Sequence, residues 1–182
     1  MKKEKERVGR VIHLKPFEPS DYQAFIGWHK EATEADMYSW AGRTFKLPVT
    51  TSQLDQYAKS AAEKTLPVKL FTIIETATNE KIGHIQVADM DGLNRSAFLN
   101  RIFIRSESRN KGYGLLLMEE MKRYIFDTLG YHRLSLYVLS NNQKARWLYQ
   151  KAGFKDEGTM RDARFFNGDY LDLHLMSLLS TD

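Results

Sequence analysis

The stretch RIFIRSESRNKGYGLLLMEEM, residues 101–121, decides how the rest of the chain is interpreted. An apolar, β-rich run ends at Ile104, a polar loop follows, and Gly112 and Gly114 precede a long apolar-patterned helix. The first turn of a helix carries backbone N–H groups without intrahelical partners and the positive end of the helix dipole. Glycines let such a backbone approach a phosphate because they have no Cβ. The pattern therefore suggests an anion site at a strand-to-helix turn.

The spacing of these glycines leaves a second interpretation open. It matches neither the G-x-x-x-x-G-K-[ST] of a P-loop nor the G-x-G-x-x-G of a dinucleotide site. Arg109 and Lys111 add positive charge beside the turn. A connection that needs only a flexible backbone explains the glycines equally well. By itself, the turn does not separate anion binding from plain chain geometry.

The composition is that of one globular domain. The chain has 182 residues, 42% hydrophobic and 27% charged, with a formal net charge of +4. This mildly basic balance would help to attract a phosphorylated ligand, but it is too diffuse to indicate nucleic acid. No cysteine is present, which excludes disulfides, thiolate metal sites and cysteine nucleophiles. We expect a charged, flexible tail over residues 1–7 and a single domain over residues 8–182.

Neither a secretory signal nor a membrane span is expected. The charged start, MKKEKERVGR, is not followed by the apolar core of a signal peptide. No uninterrupted apolar run approaches the length that crosses a bilayer. Together with the lack of cysteine, this favours a cytoplasmic protein with no membrane partner.

Hydrophobic periodicity predicts the order β-α-α-β-β-β-α-β-α-β-β. The corresponding fold class is α/β, in the mixed α+β sense, with a twisted mixed sheet of about seven strands and helices on both faces. Ser20 is expected to cap the first helix, and Thr51 or Ser52 the second. Residues 31–48 show no sustained period and are expected to be irregular. Asn167 and Gly168 predict a type I′ turn in a final hairpin.

A second stretch, NNQKARWLYQKAGF at residues 141–154, also carries chemistry. Asn142 is placed to cap a helix on which Ala145, Leu148 and Tyr149 share one face. A tyrosine on an apolar face is commonly a core residue with its hydroxyl at the edge. The other interpretation is a phenol that donates a proton to a leaving group.

Taken together, the two stretches resemble the GNAT superfamily of N-acetyltransferases. The first, R-x-x-G-x-G at Arg109, Gly112 and Gly114, resembles the acetyl-CoA signature of that family. The second, N-x-x-A-x-x-L-Y-x-x-x-G-F from Asn142, resembles the segment that follows it. The ending MRDARFFNGDYLDLHLMSLL looks like the C-terminal arm of the branch with ribosomal-protein alanine acetyltransferases and spermidine acetyltransferases. The resemblance covers roughly residues 11–179.

The resemblance implies acetyl-CoA as co-substrate and no metal. In the family, the backbone amides of the glycine turn hold the CoA pyrophosphate, and the preceding strand exposes backbone groups to the pantetheine arm and the thioester carbonyl. A backbone N–H on that carbonyl polarises it and stabilises a tetrahedral oxyanion. Asn142 and Tyr149 would contact the cofactor, and Tyr149 would protonate the departing thiolate. The other implied cofactor-binding residues are Ile102, Phe103, Ile104, Arg109, Asn110, Lys111, Gly112, Tyr113, Gly114 and Leu115.

The position of the general base is a departure from the family pattern. Many members have a glutamate on the strand that leads into the turn, where this chain has Asn100. An amide cannot accept the proton, although it can orient a water molecule. His84 is a candidate base because its ordinary pKa lies near neutrality. Packing or hydrogen bonding is the commoner role of a lone histidine on a strand, so the base is left open.

The acceptor wall is expected within residues 31–48. Glu34 and Asp36, with Glu31, could attract a cationic amine, while Tyr38 and Trp40, with Phe45, could cover its alkyl part. Asp89, with Asp91, is a candidate at the mouth of the acceptor site. A solvated acidic helix end beside core aromatics, and a plain turn at the two aspartates, explain these residues as well.

The function that follows from the resemblance is acetyl transfer from acetyl-CoA to a primary amine by direct attack. The acceptor could be a protein N-terminus or a small amine such as a polyamine or an aminoglycoside. The alternative is a module with the same fold that binds acyl-CoA without turnover, because Asn100 replaces the usual carboxylate. No nucleic-acid partner is expected, and a homodimer formed through the final hairpin is possible.

Overall fold

The computed structural model describes residues 11–182, so the predicted tail over residues 1–7 lies outside the described part. The chain forms a seven-stranded sheet in the order β1-β2-β3-β4-β5-β7-β6. The strands are β1 (Ile12–Pro16), β2 (Lys69–Glu75), β3 (Glu80–Asp91), β4 (Ser96–Ile104), β5 (Arg133–Leu139), β6 (Lys155–Phe166) and β7 (Asp169–Leu179). The helices are α1 (Tyr22–Trp28), α2 (Glu34–Ala41), α3 (Thr51–Ala62), α4 (Tyr113–Lys122) and α5 (Gln143–Lys151). This confirms the predicted fold class.

The pairing of β4 with β5 is the feature that positions the site. It is the parallel pair of the sheet, and it runs from Ser96 opposite Arg133 to Leu99 opposite Leu136. Beyond Leu99 the two strands no longer pair, while β4 continues along β3 and β5 continues along β7. A wedge therefore opens between β4 and β5 towards their carboxyl ends.

Two apolar clusters cover the faces of the sheet. One contains α4 and α5, with Leu117, Met118 and Met121 fully buried against strand residues. The other contains the first three helices, with Phe25, Met37 and Leu54 at its centre. Both form because each helix buries one apolar stripe against the sheet. The wedge between β4 and β5 opens between these two layers.

The prediction of irregular structure over residues 31–48 was wrong, because the segment contains α2. Thr33 and Asp36 form a capping box at its start: the Asp36 N–H donates to Thr33 Oγ1, and the Thr33 N–H donates to Asp36 Oδ2. This pairing satisfies backbone donors that would otherwise lack partners. The helical periodicity of this segment is not visible in the sequence, because apolar and aromatic residues of α2 face both the core and the cleft described below.

The other predicted helix starts were displaced by one or two residues. Ser20 lies inside a short 3₁₀ turn, and the Glu18 N–H donates to Asp21 Oδ2 at its start. Thr50, rather than Thr51 or Ser52, caps α3. The later predictions were confirmed: Asn142 caps α5, and Asn167 and Gly168 both have the positive φ that a type I′ turn needs.

Candidate active site

A cleft of about 250 Å³ lies where β4 and β5 separate. Its walls come from α2, β4, β5, α5 and the β6–β7 hairpin. Six predicted site residues line it: Tyr38, Trp40, Asn100, Ile102, Asn142 and Tyr149. The rest of the lining is Ser39, Ala41, Gly42, Leu99, Arg101, Tyr137, Val138, Leu139, Ala145, Arg164 and Leu173.

The glycine turn lies between the carboxyl end of β4 and the start of α4. Asn110 and Gly112 both have positive φ, at 59° and 90°, and Gly112 is the N-cap of α4. This conformation suits glycine because other residues are strained there. A ten-residue helix thus begins with its N–H groups beside the open end of the wedge. The turn fits an anionic group such as a pyrophosphate.

Gly114 owes its identity to packing between helices. A Cβ at this position would lie 2.9 Å from Leu148 Cδ2 and 3.2 Å from Leu148 Cδ1. Such contacts are closer than carbon atoms allow without a shift of the leucine. The two positions therefore favour glycine for different reasons. Gly112 adopts the positive φ of the turn, and Gly114 leaves room for the Leu148 side chain of α5.

The side chains of the turn differ in what they can offer a ligand. Arg109 Nε donates to the Ile104 carbonyl oxygen at 2.8 Å, and its guanidinium lies 5.3 Å from the centre of the Phe103 ring. Tyr113 is buried, and its hydroxyl donates to Glu75. Phe103 is buried as well. Tyr113 can thus contribute its backbone but not its phenol, whereas Lys111 is exposed.

Tyr149 lies on α5 and lines the cleft with only 7% of its surface exposed. Burial raises the pKa of its phenol, so the hydroxyl keeps its proton throughout the neutral range. Its hydroxyl has no hydrogen bond to another residue within 11–182. A buried, protonated and uncommitted phenol is able to donate a proton to a group that enters the cleft.

Two asparagines line the same cleft. Asn142 Oδ1 accepts the N–H of Ala145 at 3.2 Å, so the cap commits the carbonyl oxygen. Its side-chain NH₂ has no partner among the described residues and remains a possible donor. Asn100 lies opposite Gln86 of β3, at the point where β4 leaves β5. The cleft therefore has the amide of Asn100 at the position where many members of the resembled family have a glutamate.

His84 does not fit the predicted role of general base. Its side chain has no exposed surface and does not line the cleft. Its Nε2 lies 3.0 Å from the hydroxyl of Tyr57, and its ring packs edge-on against Phe17 and Phe25. Burial lowers the pKa of His84 to about 3. A base must meet the amine that it deprotonates, and this imidazole is sealed inside the α1–α3 layer.

A second buried histidine, His29, was not predicted. It is 3% exposed, stacks on Trp40 with ring centres 5.2 Å apart, and contacts Phe103. Burial, with a contribution from the positive charge of Arg109, lowers its pKa to about 4. No sequence signal distinguishes it from a surface histidine, because its burial depends on α2. It supports the aromatic wall behind the cleft rather than lining it.

The predicted acceptor residues divide into two groups. Tyr38 and Trp40 line the cleft, as expected of an alkyl-covering wall. Glu34 and Asp36 are exposed in the first turn of α2 and do not line it, since Asp36 is held by the cap. Asp89 is exposed at an irregularity of β3, beyond the Ala88–Phe98 pair and on the side away from the wedge.

The remaining acceptor candidates have structural roles. Phe45 is buried in the core of the first three helices. Asp91 accepts backbone N–H groups from Leu93 and Asn94, which closes the β3–β4 turn. Glu31 is exposed and does not line the cleft. None of the acidic side chains proposed for the acceptor site lies in the cleft.

Arg101 is one of the two charged lining residues that were not predicted from the sequence; the other is Arg164. The φ of Arg101 is +48°, and this residue lies in a β-bulge where Arg101 and Ile102 face the single residue Ile85 of β3. Arg101 Nε donates to Thr44 Oγ1 at 3.0 Å, and Nη1 donates to Gln86 Oε1 at 2.7 Å. A bulge reverses the alternation of side chains along a strand. This reversal is invisible in the sequence pattern.

Within residues 11–182, no group of three or more His, Asp or Glu side chains is placed to hold a metal ion. No helix in the same part of the chain is long and apolar enough to cross a membrane.

Comparison with known proteins agrees with the sequence motifs. A family model described as an acetyltransferase (GNAT) domain matches residues 12–155. The spermidine N(1)-acetyltransferase of Vibrio cholerae is 32% identical over 109 residues, which are 60% of this chain and 62% of that protein. The L-amino acid N-acetyltransferase AaaT of Escherichia coli is 28% identical over 106 residues, 58% of this chain and 65% of that protein. The chain thus spans less than two thirds of the length of each relative.

The fold has solved counterparts. The crystal structure of spermidine N-acetyltransferase from Vibrio cholerae in complex with CoA and spermine superposes with a TM-score of 0.78 at 24% sequence identity. The superposition covers 93% of this chain and 96% of that one. At this identity the likeness establishes a shared fold and nothing about the chemistry.

Proposed function

This chain belongs to the GNAT acetyltransferase family, and from that premise we propose that it transfers an acetyl group from acetyl-CoA to a primary amine. The observation that carries the proposal is the wedge between β4 and β5. It places Tyr149, Asn142 and Ile102 around one cleft, next to the helix start that suits a pyrophosphate. The names of the relatives, which refer to acetylation of amines, support the same chemistry.

The co-substrate would lie along the wedge. The backbone of the turn from Asn110 to Leu115 would hold the pyrophosphate, with the positive charge of Arg109 and Lys111 nearby. The edge of β4 at Ile102, Phe103 and Ile104, which no longer pairs with β5, would offer backbone groups to the pantetheine arm and the thioester carbonyl. Acetyl-CoA would supply the acetyl group as an activated thioester.

The reaction balances without a covalent enzyme intermediate. The neutral amine forms a bond to the acetyl carbon, the carbon–sulfur bond breaks, and the electron pair leaves with sulfur. Tyr149 donates its proton to that sulfur and is reprotonated from solvent. The proton of the amine passes to water, because no Asp, Glu or His lines the cleft formed by the described residues. Asn100 would orient this water.

A binding module without turnover is the second candidate. Among residues 11–182, no Asp, Glu or His lines the cleft, and this observation favours the binding module, because such a cleft could hold acyl-CoA without activating an amine. The uncommitted hydroxyl of Tyr149 argues against it, since a module that only binds has no need of a proton donor.

Thiol release separates the two candidates. The protein is incubated with acetyl-CoA and a panel containing spermidine, L-amino acids, an aminoglycoside and peptides with free N-termini, and free CoA is measured with a thiol reagent. Acceptor-dependent thiol release supports the transferase. Saturable acetyl-CoA binding without release for every acceptor would establish the binding module instead.

The β6–β7 hairpin is a candidate surface for association between copies of the protein. β6 is an edge strand of the sheet, and its hairpin with β7 exposes Met160, Phe165 and Tyr170. Exposed apolar side chains on an edge favour association with another chain. We therefore propose that two copies associate through this hairpin. A single domain over residues 8–182 and a cytoplasmic location stay predictions of the sequence.

A further inference from the structure

Arg101 is a half-buried cation without a counter-ion. No carboxylate within residues 11–182 lies within ion-pair distance of its guanidinium. Three other arginines on or beside the sheet pair with carboxylates, Arg105 with Glu80, Arg133 with Glu157 and Arg146 with Asp156. Arg164 has no such partner among the described residues, but it is exposed and donates to the Ala163 carbonyl oxygen. Removing a charge from water without pairing it is costly, so an unpaired arginine in a cleft wall needs an explanation.

The protein holds this guanidinium in place. Nε and Nη1 are fixed by Thr44 and Gln86, and the group lies 5.6 Å from the centre of the Tyr57 ring. The hydroxyl of Tyr57 donates to the same Gln86 oxygen at 2.9 Å. Two of the five N–H groups of the guanidinium are therefore used, which leaves three for a ligand. A pre-oriented fork of this kind suits a planar anion such as a carboxylate.

The backbone at Arg101 supports the same view. Its φ of +48° is uncommon for a side chain of this size, and strain of this kind persists only where surrounding contacts impose it. The bulge turns Arg101 towards Thr44 and the wall formed by α2. The fold therefore stabilises an unfavourable conformation that keeps an arginine in the acceptor wall.

The rest of the cleft has the same sign of charge. Arg164 lines it from β6, and no Asp or Glu among the described residues does. A polycation would meet two positive charges and no negative one. An amine that carries a carboxylate would meet a complementary charge. Its ammonium pKa would also fall beside the arginine, which increases the neutral fraction that can attack.

We propose that the acceptor is a small amino carboxylate, whose carboxylate pairs with Arg101 while its amine faces the acetyl group. This inference rests on the proposed transferase function and selects the class of acceptor within it. Arg101 would be a specificity-determining residue. The matching ligand is a free amino acid rather than a polyamine.

The test compares acceptors that share a side chain and differ in the carboxylate, with each kcat/KM divided by the neutral fraction of the free amine at the assay pH. L-Phenylalanine and L-phenylalaninamide form one pair, L-leucine and L-leucinamide a second, and spermidine is the polycationic reference. Thiol release gives kcat/KM for each. We expect the acids to exceed the amides by about tenfold or more, since charge-assisted pairing is worth more than a neutral hydrogen bond.

Substitution assigns this preference to the arginine. R101Q should abolish the preference for the acid by lowering kcat/KM for the acid about tenfold more than kcat/KM for the amide, because only the acid loses a charge pair. R101K should retain part of it, since the charge remains without the fork. Arg123→Gln, at an exposed position directly after α4, is the matched control and should leave both values unchanged. A thermal shift with CoA verifies that each variant is folded.

Three other results would contradict either the inference or the proposed function. Turnover of spermidine without any preference for acids would overturn the inference and leave the transferase standing. An equal loss of rate on acids and amides in R101Q would also overturn it, because the arginine would then act in a step common to all acceptors. If no acceptor in the panel causes thiol release, the proposed transferase function itself is contradicted.

Discussion

At the scale of single residues, Tyr149 combines three properties that its neighbours do not share. It is buried, its pKa is raised by burial, and its hydroxyl is uncommitted within the described part of the chain. Tyr57 is buried to a similar degree, but its hydroxyl is committed to Gln86 and His84. The difference makes Tyr149 available for proton transfer and Tyr57 a structural support.

Tyr149→Phe is therefore predicted to lower turnover much more than binding. Loss of a positioned general acid typically costs about 10²-fold to 10⁴-fold, and the phenylalanine ring preserves the packing. We expect kcat for the best acceptor to fall by at least about tenfold, with the Kd for acetyl-CoA within a factor of about two. Steady-state kinetics and calorimetry measure the two quantities. Tyr170→Phe, on the exposed hairpin, is the control, and an unchanged kcat in Tyr149→Phe would remove the acid role.

At the scale of elements, the contact between α4 and α5 links the glycine turn to the helix that carries Tyr149. Gly114 and Leu148 meet across this contact, and a Cβ at position 114 would overlap the leucine. A methyl group at position 114 would therefore require the Leu148 side chain to shift. The contact lies between the predicted pyrophosphate site and the helix that carries the predicted proton donor.

Gly114→Ala is expected to destabilise the fold by about 1–3 kcal/mol through overpacking. In the double variant with Leu148→Ala, space is restored and much of this loss should be recovered. Gly112→Ala, which suffers from its φ of 90°, should gain nothing from Leu148→Ala. Urea denaturation of the three single variants and the two double variants measures the coupling. Additive losses for Gly114 and Leu148 would show that the contact does not limit helix approach.

A second prediction concerns the pairing of β5, β6 and β7. Glu157 of β6 accepts hydrogen bonds from Arg133 of β5 and from Ser177 of β7, the latter at 2.5 Å. The bonds from Arg133 and then Ser177 lower the pKa of Glu157 to about 2 from its ordinary 4.5. A lowered carboxyl pKa stabilises the fold above the unfolded pKa, and this contribution is lost as the pH falls from about 4.5 to about 2.

Glu157→Gln should therefore flatten the pH dependence of the free energy of unfolding in this acid range. Because the pair is partly exposed and screened by solvent, we expect a loss of only about 1 kcal/mol at neutral pH. Urea midpoints at pH 7 and at pH 3 measure the effect. Glu63→Gln, whose ion pair with Lys59 is exposed, serves as the control. A variant that keeps the full acid dependence would refute the assignment.

At the scale of the whole molecule, the fold keeps its imidazoles away from the cleft. His84 and His29 are sealed in the α1–α3 layer, with pKa values lowered to about 3 and about 4. Both are neutral in the physiological range and neither lines the cleft. In the proposed reaction, water therefore accepts the proton of the amine.

The pH profile of kcat/KM for the acceptor should follow the amine and not the protein. Below the pKa of the amine, the rate should rise about tenfold per pH unit, because only the neutral form attacks. Two acceptors whose amines differ in pKa should give profiles displaced by that difference. A common inflection near pH 6 to 7 for both acceptors would instead point to a protein base, and the proposed proton path would be wrong.

Much of the fold was accessible from sequence because its signals are local. The glycine turn, the Asn142 cap and the hairpin at Asn167 each depend on a few adjacent residues. Helix α2 was missed because its capping box lies among aromatic residues that serve two surfaces. The membership of the cleft was predicted only in part, since Glu34, Asp36 and Asp89 are outside it and Arg101 is inside it.

The sequence by itself determined the family, the order of most elements and the two motifs that flank the wedge, because short-range spacing defines them. Only the tertiary structure decided which side chains line the cleft. One bulge in β4 turns Arg101 towards the acceptor wall, and the packing of three helices buries His84. Burial and the direction of a side chain depend on segments far apart in the chain, whose mutual arrangement no local pattern contains.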